Sequence, residues 1–235
     1  MKETLGDKEN CYGIYYYDLT TGLDYSLNPN KKFQAASTIK IPISMMLAEK
    51  LTNKEIQYDS LVFYEESDYE SGAGILQGSI NVGDGLSVKE LIEHMIVESD
   101  NIATNMLKRN VGSISSYVST ITDIYMEDKS NILTPRQSEK ILKELYDRAK
   151  TNNYYNNVID LMKRTTSHDR LDKYIPKSLV AHKIGDYKEC VNDIGIIYTE
   201  KPYILCVYTE GVMEEGRENI SLISKAIYEM KTNRR

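Results

Sequence analysis

The run IGIIYTEKPYILCVYT at residues 194–209 decides the fold. Its two halves, 194–199 and 203–209, are rich in β-branched and aromatic residues, and each reads as a strand. Glu200-Lys201-Pro202 supplies the turn between them. Another strand precedes the pair at 178–184. An amphipathic helix follows at 214–231, where Ile220, Ile223, Ile227 and Met230 recur at helical spacing. The opposite end of the chain is extended as well. Residues 12–18 are rich in Tyr and Ile, Thr20-Thr21-Gly22 makes a turn and 24–27 resumes the extended pattern, so this end reads as a hairpin.

Between these ends the pattern is helical. Helices are expected over 39–51 (with Pro42 in the first turn, where its missing N–H is tolerated), 87–97, 102–109, 114–121, 135–149 and 153–162. Ser87 followed by Glu90 is a capping box that fixes the start of the second of these. Strands at both ends and helices between them imply one sheet assembled from distant segments. The expected architecture is an α/β (α+β) fold of two lobes, an antiparallel sheet flanked by helices and packed on an all-helical lobe. A single domain over 1–235 is expected, with the sheet lobe at 1–60 and 178–235 and the helical lobe at 61–177. A ligand belongs in the cleft between the lobes.

Composition narrows the function classes. A chain of 235 residues, 41% hydrophobic and 27% charged, is an ordinary globular sequence rather than a fibrous or disordered one. Lys and Arg number 29 against 35 Asp and Glu, a net charge of −6, which gives no general attraction to nucleic acid. No apolar stretch approaches the ~20 residues of a membrane span, and residues 1–10 are charged and lack the apolar core of a signal peptide. Cys11, Cys190 and Cys206 are odd in number and form no CxxC, so they do not fix the redox compartment.

The chemistry-bearing motifs are few. The sequence has no GxSxG, HExxH or P-loop, and the glycine run at 72–78 misses the dinucleotide spacing by one residue. His94, His168 and His182 are scattered without partner spacing and read as structural or solvated. One Ser-x-x-Lys occurs, Ser37-Thr38-Ile39-Lys40. Alone it reads as a helix cap and a solvated Lys. Its flanks Ala35-Ala36 and Ile41-Pro42-Ile43 are small or apolar, however, so Lys40 is expected to be buried, with a lowered pKa and its amine in reach of Ser37 Oγ. A neutral Lys can activate a Ser nucleophile. Ser99-Asp100-Asn101 lies between two helices, and Lys183-Ile184-Gly185 ends a strand, followed by Asp186. Each is bland by itself; in this order they can line one cleft from three sides.

That order resembles the penicillin-recognising serine enzymes, class A β-lactamases and penicillin-binding proteins. Segments 12–18, 21–22, 35–43, 85–105, 133–135 and 181–208 are similar to class A β-lactamase segments in the same order, and they cover most of the chain. The resemblance implies a β-lactamase/DD-peptidase-like fold. It implies Ser37 as the acylated nucleophile, Lys40 as its base or proton relay, and Ser99 as proton donor to the leaving nitrogen. Asn101 would hold the substrate's side-chain amide, and Lys183 would attract the substrate carboxylate. The Lys183-Ile184-Gly185-Asp186 edge would bind substrate, the backbone N–H groups of Ser37 and Asp186 forming an oxyanion hole. No metal or organic cofactor is implied. The implied partner is a small β-lactam or a D-Ala-terminated peptide, the implied state a monomer, and the implied location the exported or cell-envelope space of a bacterium.

The sequence departs from the class A pattern in three ways. Ile184 stands where the family has a Thr that contacts the substrate carboxylate. The stretch 123–134 is too short for the usual Ω-loop, and no Glu-x-x-Leu-Asn occurs, so the base that activates the deacylating water is missing; Glu127 is the nearest acidic residue by position. Residues 1–10 hold only the last turns of the family's N-terminal helix, which points to a truncated or trimmed start. Three readings stay open: a β-lactamase-like hydrolase, a D-Ala-D-Ala peptidase, and a sensor domain with little turnover.

Overall fold

The tyrosine- and isoleucine-rich runs from the two ends of the chain pair with one another. The computed structural model describes residues 5–232. In chain order its elements are β1 (Tyr12–Asp18), β2 (Asp24–Leu27), β3 (Phe33–Gln34), α1 (Lys40–Thr52), β4 (Leu61–Phe63), β5 (Gly85–Ser87), α2 (Val88–Val97), α3 (Asn101–Lys108), α4 (Ile114–Thr122), β6 (Ile132–Leu133), α5 (Pro135–Ala149), α6 (Asn153–Met162), β7 (Val180–Tyr187), β8 (Cys190–Ile197), β9 (Tyr203–Thr209) and α7 (Met213–Thr232). The main sheet is antiparallel, in the order β2-β1-β9-β8-β7. β1 therefore lies beside the C-terminal hairpin, with Tyr12 opposite Thr209 and Asp18 opposite Tyr203.

Every residue of β9 is buried, which is why the strand reads as an unbroken apolar run. Side chains alternate across the sheet. Ile204, Cys206 and Tyr208 enter the larger core with α1 and α2, while Tyr203, Leu205 and Val207 meet Ile220, Ile223 and Ile227 of α7. The expected capping box is present at α2, where Ser87 Oγ accepts from Glu90 N and the Glu90 carboxylate accepts from Ser87 N. Among the described residues no helix is long and apolar enough to cross a membrane.

The structure revises the reading in three places. β8 begins at Cys190 rather than 194, because the polar Asn192 and Asp193 sit inside it with buried partners. Asn192 donates to Gln34 O at 2.8 Å and accepts from Thr209 N at 3.0 Å. β7 begins only at Val180 because Lys177–Leu179 forms a 3-10 turn. The pairs β3–β6 and β4–β5 are too short to leave a periodic pattern.

Asp18 closes the first hairpin onto the last helix. Its carboxylate accepts from Thr20 N (2.9 Å), Thr21 N (3.0 Å) and Lys231 Nζ (2.6 Å). Burial pushes its pKa up, but these bonds outweigh burial and hold it at about 2, below the ordinary 3.8. Asp18→Ala is expected to cost about 1–3 kcal/mol at neutral pH, read as a lower urea midpoint. Because the folded-state pKa is depressed, the carboxylate's contribution is complete above 3.8 and is lost as pH falls through about 2. The gap between wild type and variant should close over that window.

Candidate active site

The turn that carries Ser37 is built by backbone strain and buried hydrogen bonds. Ala36 has a left-handed φ of 49°, uncommon for a residue with a side chain. Thr38, fully buried, donates to Ala35 O at 2.8 Å, and its hydroxyl lies 3.0 Å from the Tyr208 hydroxyl, which is 2.7 Å from Ser138 Oγ. With Thr38 anchored in the sheet, Ser37 is left half-buried at the start of the 3-10 turn Ala36–Ile39.

Lys40, the first residue of α1, is 3% exposed. Its Nζ donates to Ser99 O at 2.6 Å and Asn101 Oδ1 at 2.8 Å, and lies 3.3 Å from Ser99 Oγ. Burial first, then the charge of Lys183, lowers its pKa to about 6. The expected Lys40–Ser37 hydrogen bond is absent: among the described residues Ser37 Oγ has no hydrogen-bond partner. The amine is drawn instead to the carbonyl and amide oxygens of the facing loop. A neutral amine has two N–H groups and one lone pair, so the two short bonds leave the lone pair free to accept a hydroxyl proton.

Ser99 follows α2 in the left-handed conformation, φ 58°, where Gly is usual. Its Oγ accepts from Lys183 Nζ at 2.8 Å, so this hydroxyl bridges the two lysines. The cap of α3 is Asp100, not Ser99: Asp100 Oδ1 accepts from Ala103 N at 2.9 Å. Its Oδ2 accepts from Ile75 N (2.7 Å) and Leu76 N (2.8 Å). The glycine run thus wraps Asp100, and a Cβ on Gly74 would fall 2.1 Å from Asp100 Oδ2. Asn101 Nδ2 donates to Ser71 O at 3.1 Å, making the same loop a wall of the site.

The third side is the edge strand β7. Lys183 is 1% exposed, and burial lowers its pKa to about 8 against the opposing pull of Asp193. Ile184 is half-buried. Gly185 is required by close approach: a Cβ there would lie 2.7 Å from Ala35 O and 3.2 Å from Ser37 N. The Asp186 carboxylate accepts from Arg170 at 2.7 Å through both oxygens and from Arg217 at 3.0 Å. Sequence reasoning missed both arginines, which carry no motif.

The histidines do not serve Ser37. His94 pairs with Glu98 at 3.4 Å, His168 with Asp172, and His182 with Asp193 at 2.9 Å. Glu127 is exposed, and its backbone carbonyl accepts from Ser130 Oγ at 2.8 Å.

A profile of the beta-lactamase enzyme family matches residues 1–230. The chain belongs to this family. It is similar to "Beta-lactamase ROB-1" of Haemophilus influenzae, 29% identical over 121 residues, 50% of this chain and 38% of that protein. The matched stretch therefore spans little more than a third of that relative. Among solved structures, PBP-A superposes with a TM-score of 0.86 at 22% identity, covering 94% of this chain and 90% of that one. The TLA-3 extended-spectrum β-lactamase superposes with a TM-score of 0.88 at 23% identity, covering 98% and 96%. The beta-lactamase fold that the resemblance implied, and the two-lobe architecture read from the order of strands and helices, are thus the fold observed. Within this family's two-lobe frame, the Ser37 turn, the Ser99–Asn101 corner and the Lys183–Gly185 edge converge from separate elements.

Proposed function

We propose that the protein is a serine hydrolase of class A type, acylated at Ser37 by a β-lactam or a related amide or ester, and slow to deacylate. The observation that carries this reading is the Ser99 hydroxyl bridging Lys40 and Lys183, next to the strand edge pressed against Ser37 N. Ser37 Oγ attacks the carbonyl carbon as its proton passes to the neutral Lys40 amine. The C–N bond then breaks, the Ser99 hydroxyl protonates the departing nitrogen, and Lys40 returns a proton to Ser99. The backbone N–H groups of Ser37 and Asp186 receive the oxyanion; losing one such donor typically costs about 10²–10³ in rate. Asn101 orients the substrate amide, and Lys183 supplies positive potential to the substrate carboxylate along the edge formed with Ile184, Gly185 and Asp186.

Two features of the sequence and structure support slow deacylation. Segment 123–134 holds no Glu-x-x-Leu-Asn, and Glu127 is exposed. A missing general base costs about 10²–10⁴. That same gap favours a second reading, hydrolysis of D-Ala-terminated peptides, in which a slow acyl-enzyme is tolerated. A mutant of PBP-A, a neighbour in fold, has been solved as an acyl-enzyme complex with penicillin G. Parallel assays decide between the two: loss of benzylpenicillin at many turnovers supports the β-lactamase, and release of D-alanine from a model peptide with stoichiometric penicillin consumption supports the peptidase.

A further inference from the structure

One residue before Lys183, His182 is fully buried and doubly constrained. Its Nδ1 lies 3.0 and 2.9 Å from the two oxygens of Asp193, and Asp193 Oδ2 also accepts from Leu171 N at 3.0 Å. This carboxylate fixes the ring and leaves Nε2 to face the other way. There Nε2 is buried without a hydrogen-bond partner, 3.4 Å from Asp172 Oδ2. Asp172 is itself 1% exposed, and its Oδ1 has no partner either. His168, four residues before Asp172 on a non-helical turn and a third exposed, completes the group by bonding Asp172 Oδ2 through Nδ1.

We propose that His168, Asp172 and His182 form a binding site for a first-row divalent cation of the Zn²⁺ class, with Asp193 as the outer carboxylate that orients His182. One ligand atom from each of the three residues lies within 4.8 Å of the others, a separation that bonds of about 2.0–2.2 Å to a common ion can span with modest adjustment. A carboxylate on one imidazole nitrogen with the other nitrogen aimed at the ion is the usual arrangement around protein-bound zinc. Charge favours a cation too: Asp172 and Asp193 are both buried carboxylates, and buried negative charge is costly without a positive partner. His168, a third exposed, is the member of the group that solvent reaches. Binding displaces the imidazole protons to solvent, and the ion ties the 168–172 turn to β7 beside Lys183. The ion has no part in the Ser37 chemistry.

The competing arrangement is an imidazolium held between Asp172 and Asp193, and a titration separates the two. Tag-free protein stripped with a chelator is titrated with Zn²⁺ by calorimetry and with Co²⁺ by visible absorption. One equivalent of each ion is expected to bind, Co²⁺ giving the intense bands of a low-coordinate nitrogen–oxygen site. His168→Ala should weaken Zn²⁺ binding by at least about tenfold, whereas His168→Cys, which keeps a zinc ligand, should hold it. Both changes fall on a partly exposed turn, and the wild-type stoichiometry stands whether or not either variant folds. Absence of stoichiometric binding, or equal affinity in wild type and a folded His168→Ala, would overturn the site and leave the imidazolium pair.

Discussion

Lys40→Met is expected to slow acylation by benzylpenicillin about 10²–10⁴-fold, the usual worth of a positioned general base. Met fills the buried volume but removes the side-chain donor that Ser99 O and Asn101 Oδ1 share, so about 1–3 kcal/mol of stability should go as well. The pH profile separates chemistry from packing. With Lys40 as the proposed base and Lys183 as the proposed carboxylate partner, acylation needs Lys40 neutral and Lys183 charged, so its rate constant should rise through about pH 6 and fall through about pH 8. In Lys40→Met the acid limb should vanish while the alkaline limb stays. A folded variant that retains the full bell would remove Lys40 from the proton path.

The second large effect is at Ser99. Ser99→Ala should lower acylation by about 10²–10⁴, because the departing nitrogen loses its proton donor and Lys183 loses its acceptor. Ser99→Gly should lose the same activity. The two variants should differ in stability. Ser99 stands at φ 58°, a conformation that costs a residue with a Cβ about 1–2 kcal/mol and glycine almost nothing. The Gly variant is therefore expected to be the more stable of the two by about 1 kcal/mol in urea denaturation, with no return of activity. Such a result would show strain retained at this corner for the sake of the hydroxyl.

Much of this fold is legible in the sequence because its signals are local. Ser87 with Glu90, Pro135 at the first position of α5, and the unbroken run of β9 each announce an element from within a few residues. The three motifs are legible for another reason: their order along the chain matches the order in which three walls meet. What bridges segments far apart in sequence is not legible. Lys40 finds Ser99 and Asn101 rather than Ser37, since the choice depends on where the corner after α2 falls. Asp100 collects three backbone N–H groups, two of them from a glycine run that resembles a weak nucleotide loop. Asn192 and Asp193 look like the end of a strand, yet lie inside one because distant groups satisfy them. Likewise His168 and His182, read separately as structural or solvated, meet only once β7 is laid against the 168–172 turn.

The most direct test of the central claim is intact-protein mass spectrometry after mixing with benzylpenicillin, sampled from seconds to hours, for wild type and Ser37→Ala. Wild type is expected to gain the mass of one penicilloyl group that persists for minutes or longer, on a peptide containing Ser37, while Ser37→Ala stays unmodified. An adduct of the same mass on Ser37→Ala, or neither adduct nor penicillin loss with the folded wild type, would contradict the assignment of Ser37 as the acylated nucleophile.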